Sequence, residues 1–304
     1  MSDPFFFLSQ PGFHRGVLLG VGAASIAALL AVAMRRRARP APLAGIAFAA
    51  AGTAGLFWVE HPSAWLAIGI GALLAGSLLG RELPRAVRPL WPLLTIPGAW
   101  MIAERAIPFA EPWARALIGV GIVVGGALVG DLDRRRGAGG ITVTMLAATM
   151  LGIYATVPDT EEALVLLGVM VPVALLGFPF AVARLGSAGA SASVGLLAWI
   201  IAHGGRSRES AIIGGVACLG IFVVEPLAAL LMRRREHPAS LGSTLWLIGA
   251  HLAVVFVASR IVGIRDRLSA AVTGAVLVGV VALLAATTVL RRPLLPGVGA
   301  GDGS

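Results

Sequence analysis

Lysine is absent from this 304-residue chain, cysteine occurs once, and charged residues make up only 13% of it. Each shortage excludes something. A lone thiol, Cys218, allows no intrachain disulfide. With 58% hydrophobic residues and a mean hydropathy of +0.90, the chain has too little polar surface to enclose a water-soluble core. The net charge of +9 comes from 24 basic residues, all arginine, and most sit just beyond the ends of apolar runs. No basic face is interleaved with stacking aromatics, so nucleic acid is not the expected partner. Zinc-ligand spacings, a P-loop, a dinucleotide fingerprint and nucleophile motifs are also missing, so the motif content implies no cofactor and no metal. Ten-residue segments of alternating polarity, the mark of a membrane β-barrel, do not occur either.

What the chain does have is a series of Gly/Ala/Val/Leu runs. Most approach the ~20 residues needed to cross a ~30 Å hydrocarbon core. In hydrocarbon the backbone must bond within its own segment, so each run reads as a helix. Eleven are expected, at about 16–34, 43–59, 64–80, 89–103, 113–130, 141–157, 162–183, 190–203, 211–232, 241–259 and 268–290. The fold class is therefore all-α, a polytopic membrane helix bundle forming one transmembrane domain over 1–304. No connection is expected to exceed about ten residues, and the termini 1–15 and 293–304 are expected to be flexible. Met1 to His14 lacks a basic n-region, and the positive cluster follows the first run, so no cleavable signal is read.

Arginine sets the orientation. Sixteen of the 24, including Arg35-Arg36-Arg37, Arg134-Arg135-Arg136 and Arg233-Arg234-Arg235, fall on one set of alternate connections. The other eight are Arg15, Arg105, Arg115, Arg206, Arg208, Arg260, Arg265 and Arg267. The positive-inside rule places the richer set in the cytoplasm, the N-terminus outside and the C-terminus inside. The usage of Arg with Ala, Gly and Val is that of a high-GC genome, and the expected location is a bacterial inner membrane.

The three triplets begin 99 residues apart. Ala99-Trp100-Met101-Ile102-Ala103 recurs at that interval as Ala198-Trp199-Ile200-Ile201-Ala202, and Gly69 matches Gly168. This predicts repeat units 16–112, 113–210 and 211–292, with four, four and three helices. The alternative is that Ala- and Gly-rich helices align with one another easily. In both full units the fourth run is short: 89–103 carries Pro92 and Pro97, and 190–203 is rich in Ser, Ala and Gly. Interrupted helices at matching positions point to a transporter's binding site. Their outer ends carry Glu104-Arg105 in one unit, and His203 with Arg206 in the other.

Two polar residues lie within apolar runs. Glu225 stands eight residues before Arg233, about 12 Å inside the boundary, where a carboxylate calls for a bound proton or a paired cation. His251 lies at similar depth in the next run, so a Glu225–His251 proton relay or ion site is one reading. The plainer reading has His251 donating to a nearby carbonyl. Asp131 reads as an i,i+4 ion partner of Arg135 beside Asp133, and Glu161-Glu162 as an acidic helix start. Gly76…Gly80, Gly121…Gly125 and Gly126…Gly130 are expected at close helix contacts.

Three functions remain open. The first is a secondary transporter or translocator of a small or amphiphilic solute, with proton coupling through Glu225. The second is a non-catalytic scaffold subunit of an envelope complex. The third is an enzyme acting on lipid-linked substrate at the outer face. The expected partners are the lipid bilayer and either other membrane subunits or further copies of the chain.

Overall fold

The computed structural model describes residues 6–34, 41–60, 62, 64–84, 86–108, 110–136, 140–157, 160–205, 209–231, 241–261, 269, 272–276 and 279. Among them are eleven α-helices, two short 3-10 segments and no strand. The helices are α1 (Pro11–Ala33), α2 (Ala44–Val59), α3 (Ala64–Glu82), α4 (Ile96–Ala106), α5 (Pro112–Arg136), α6 (Ile141–Thr156), α7 (Glu161–Ala174), α8 (Ser187–Gly204), α9 (Glu209–Ala217), α10 (Gly220–Leu231) and α11 (Leu241–Ile261). Three of these, α1, α5 and α8, are long and apolar enough to cross a membrane. Shorter apolar helices lie within α2, α3, α6 and α11. The outer faces are apolar too: α1 exposes Leu18, Ile26 and Leu29, and α5 exposes Trp113, Leu117 and Val120.

Several expected runs change form. α1 starts at Pro11, five residues before the predicted run, because proline suits a first helical turn that needs no N–H. Ahead of it Phe7 packs against Phe13 and Tyr154, so residues 7–15 belong to the bundle rather than to a flexible end. The run 162–183 stops as helix at Ala174, and twelve non-helical residues, 175–186, lead into α8. That exceeds the expected connection length. The run 211–232 is two helices, α9 and α10, parted at Cys218-Leu219, while α10 continues through Pro226. Most of 268–290, together with the first and third arginine triplets, lies outside the described residues.

The run 89–103 is broken as expected: a 3-10 segment, Arg88–Thr95, precedes the eleven-residue α4. Its counterpart is not. α8 is a continuous 18-residue helix, buried over nearly all of its length from Ala188 to Ala202. Its Ser, Ala and Gly content reflects crowding, since small side chains let α2, α3, α4, α5 and α9 pack directly against it. The hydroxyl of its Ser191 finds partners inside the core. The Ser191 hydroxyl donates to the Ser187 carbonyl one turn back, and the Ser77 hydroxyl donates to Ser191 across 3.0 Å.

α1 and α7 run parallel in close contact. A Cβ added at Gly16 would overlap the Val165 carbonyl, and one at Gly168 the Phe13 carbonyl. Gly76 and Gly80 also sit at close contacts, with Leu94 and Trp91, and Gly126 with Ser191. Gly121 faces open space, so the predicted Gly121…Gly125 seam is not one. The helix starts Pro11, Pro112 and Glu209 follow one another to within about two residues of the 99-residue interval. The repeated motif nevertheless meets different surroundings: Trp100 is half-exposed on α4, whereas Trp199 is buried on α8.

Candidate functional site

The chemistry gathers at the two ends of α8. At its N-terminal end lies a cleft of about 680 Å³, lined by Ser77 and Gly80 of α3, Pro89 and Trp91 of the 3-10 segment, Asp131, Asp133 and Arg134 of α5, and Arg184 and Ser187. The 3-10 segment 88–95 and the non-helical stretch 175–186 thus both contribute to one wall. Backbone of this kind requires substitute hydrogen-bond partners. Asp133 supplies them for Leu185 and Gly186. It is buried, and its carboxylate accepts the Leu185 N–H at 3.1 Å, the Gly186 N–H at 2.8 Å and the Thr142 hydroxyl at 2.5 Å. Gly186, at φ +75°, makes the left-handed turn that releases the chain into α8. The neighbouring Arg184 backbone bonds to Ala41 and Ala44, which ties the turn to the start of α2. Thr144 accepts the Phe178 N–H at 3.0 Å further back in the same stretch.

An ionic chain runs from this cleft into the core. Arg134 pairs with Asp131, and Arg135 bonds the other Asp131 oxygen at 2.8 Å. The Arg135 guanidinium also reaches Glu225 Oε2 on α10 at 3.1 Å. The paired cation that a carboxylate at this position calls for is therefore Arg135. Sequence reading saw the Asp131–Arg135 pair but not its extension, because Arg135 and Glu225 are 90 residues apart.

The described hydrogen bonds of His251 lead elsewhere. Its Nε2 lies 2.9 Å from both the Met145 carbonyl and the Thr149 hydroxyl on α6. Phe222 packs edge-on against the ring at 5.3 Å, and Nδ1 is buried with no hydrogen-bond partner among the described residues. Thr149 Oγ1 donates to the Met145 carbonyl as well. That fits a ring whose Nε2–H also donates there, with Nδ1 bare.

At the C-terminal end of α8, about 24 Å of helix rise from Ser187, sits His203. Its ring stacks on Trp199 at 4.5 Å. Nε2 lies 3.5 Å from Glu60 at the end of α2 and 3.9 Å from the buried Glu162 in the first turn of α7. Next to these, Arg15 of α1 pairs with Glu161 at 3.2 Å. Of the other predicted residues, Glu104 and Arg105 are exposed on the last turn of α4, and Arg206 lies outside the described residues. Sequence reading missed Asp133 and Arg184 as cleft residues, and Glu60 and Glu162 as neighbours of His203. No family model matches the chain, and no curated protein matches it significantly.

Proposed function

We propose that this is a multi-pass protein of a bacterial inner membrane, N-terminus outside and arginine triplets in the cytosol, that acts as a secondary transporter of a small or amphiphilic solute. The supporting observation is that two stretches departing from α-helix, the 3-10 segment 88–95 and residues 175–186, each just ahead of the fourth helix of its 99-residue block, wall the same charged cleft. Irregular backbone lining a polar cavity is how membrane transporters expose main-chain groups to solute. The solute carries an anionic group. Arg134 is engaged by Asp131, whereas Arg184 lines the cleft with only a long 4.0 Å ion pair to Asp133 and a buried Nε that has no hydrogen-bond partner among the described residues.

Coupling follows from the ionic chain. A proton on Glu225 removes the charge that holds Arg135 toward α10, leaving Asp131 at the cleft as the remaining carboxylate partner of that guanidinium. A protonation change in the core thereby alters the electrostatics of the cleft. The test needs no known solute. In a Cys218→Ser background, Ser187→Cys is placed in proteoliposomes and labelled with an impermeant maleimide from each side. A transporter gives labelling from both sides, shifted by an imposed pH gradient, and Glu225→Gln removes the shift. Labelling from one side only, indifferent to the gradient, rejects the reading.

One observation favours a scaffold subunit as the second reading. The Gly16–Gly168 contact brings α1 and α7 to backbone distance, the kind of packing that fixes a bundle rather than lets it move. A stoichiometric co-purifying partner lost on deletion of this chain would favour it.

A further inference from the structure

We infer that Glu60, Glu162 and His203 form a binding site for a divalent transition-metal ion of the zinc class. The site is independent of the transport reading, since it lies at the opposite end of α8 from the cleft. Its donors come from three helices: Glu60 at the end of α2, Glu162 in the first turn of α7 and His203 in the last turn of α8. One ligand atom from each falls within 4.8 Å of the others.

The spacing is wider than direct hydrogen bonds would make it and leaves room for an ion between the groups. The imidazole Nε2 is 3.5 Å from the Glu60 oxygen and 3.9 Å from the Glu162 oxygen. Charge-assisted hydrogen bonds close to about 2.7–2.9 Å. Tetrahedral ligands at ~2.1 Å from an ion stand about 3.4 Å apart. The His203–Glu60 pair sits at the second separation, the His203–Glu162 pair is somewhat wider, and all three ligand atoms stay within 4.8 Å of one another.

Burial adds a separate argument. Glu162 is 6% exposed, and no hydrogen bond to its carboxylate is made among the described residues. A carboxylate so enclosed requires a counter-charge. Arg15 does not supply it, being paired with the adjacent Glu161. His203 is fixed in place by its stack on Trp199, as a metal-binding imidazole must be oriented. One nitrogen and two carboxylate oxygens suit zinc and its first-row neighbours, while a site without thiolate disfavours copper(I). Three protein ligands leave a fourth position for water, the open form of a zinc site.

The experiment uses the full-length protein in detergent, stripped with EDTA and titrated with Co²⁺ as an optical substitute for Zn²⁺. Wild type is expected to bind one equivalent with the visible absorption of a four-coordinate ion, and Zn²⁺ to displace it. His203→Ala and Glu162→Gln are expected to weaken binding at least ~100-fold, beyond the 10–100-fold typical of outer-shell partners. If the buried Glu162 variant fails to fold, Glu60→Gln, at an exposed position, carries the same expectation with the metal-free Tm unchanged. No saturable Co²⁺ spectrum from wild type, or wild-type affinity in Glu60→Gln, overturns the site and leaves a histidine between two glutamates.

Discussion

Arg135 and Glu225 are joined across 3.1 Å, linking the last turn of α5 to the middle of α10, and the Glu225 side chain is only 2% exposed. Removing Arg135 takes that cation from a carboxylate in a place water hardly reaches, whereas removing Glu225 leaves Arg135 its Asp131 partner. Arg135→Ala is expected to destabilise the protein by about 3–5 kcal/mol, and Glu225→Ala by less. The double variant Arg135→Met with Glu225→Leu is expected to recover most of that loss, because the desolvation cost leaves with the charges. Thermal unfolding in detergent measures all three. A double variant no better than the single ones would show that the pair is not acting as a unit.

Asp133 meets two backbone N–H groups and one hydroxyl with a single carboxylate. Asp133→Ala leaves those donors unmet, at about 1–3 kcal/mol for each one that water cannot reach. Asp133→Asn keeps one acceptor oxygen and should fall between. Amide exchange at Leu185 and Gly186 reports the loss directly. Unchanged protection in the alanine variant would mean the turn is held by other contacts.

The parallel α1–α7 contact makes a sharp pair of substitutions. Gly168→Leu places a side chain into the Phe13 carbonyl and is expected to lower Tm strongly. Gly71→Leu, at a position with nothing within 4 Å, is the control and is expected to leave Tm unchanged. Equal effects of the two would refute the close approach.

Orientation is testable at two exposed positions on opposite faces of the proposed topology. In the Cys218→Ser background, Met34→Cys at the end of α1 is expected to react with impermeant reagent only from the cytosolic side. Trp113→Cys at the start of α5 is expected to react only from outside. Reactivity of both from one side would overturn the positive-inside assignment used here.

Helices were legible in the sequence where a run was long and bounded by charge or proline, as with α2, α3 and α11. The 3-10 break at Arg88–Thr95 was legible from its prolines. The interruption at 175–186 was not, because its residues are as apolar as a span and its backbone is held by Asp133, more than forty positions earlier. Serine and glycine in 190–203 suggested a break for a related reason. Composition cannot distinguish a helix weakened by small residues from one packed tightly because of them. The site was legible residue by residue but not as a constellation. Glu225 and His251 stood out as polar groups in apolar runs, yet their partners Arg135, Thr149 and Met145 lie on other helices. Glu60, Glu162 and His203 showed no motif spacing because they meet only through the packing of α2, α7 and α8.

The enclosure of α8 has a mechanical consequence. A rod walled in by the surrounding helices, with small side chains at its seams, cannot tilt without opening voids on several sides at once. It behaves as an axle. A rearrangement that widened the charged cleft is therefore expected in surrounding segments such as Arg88–Thr95 and α4, with the Trp199–His203 stack at the far tip of α8 keeping its place.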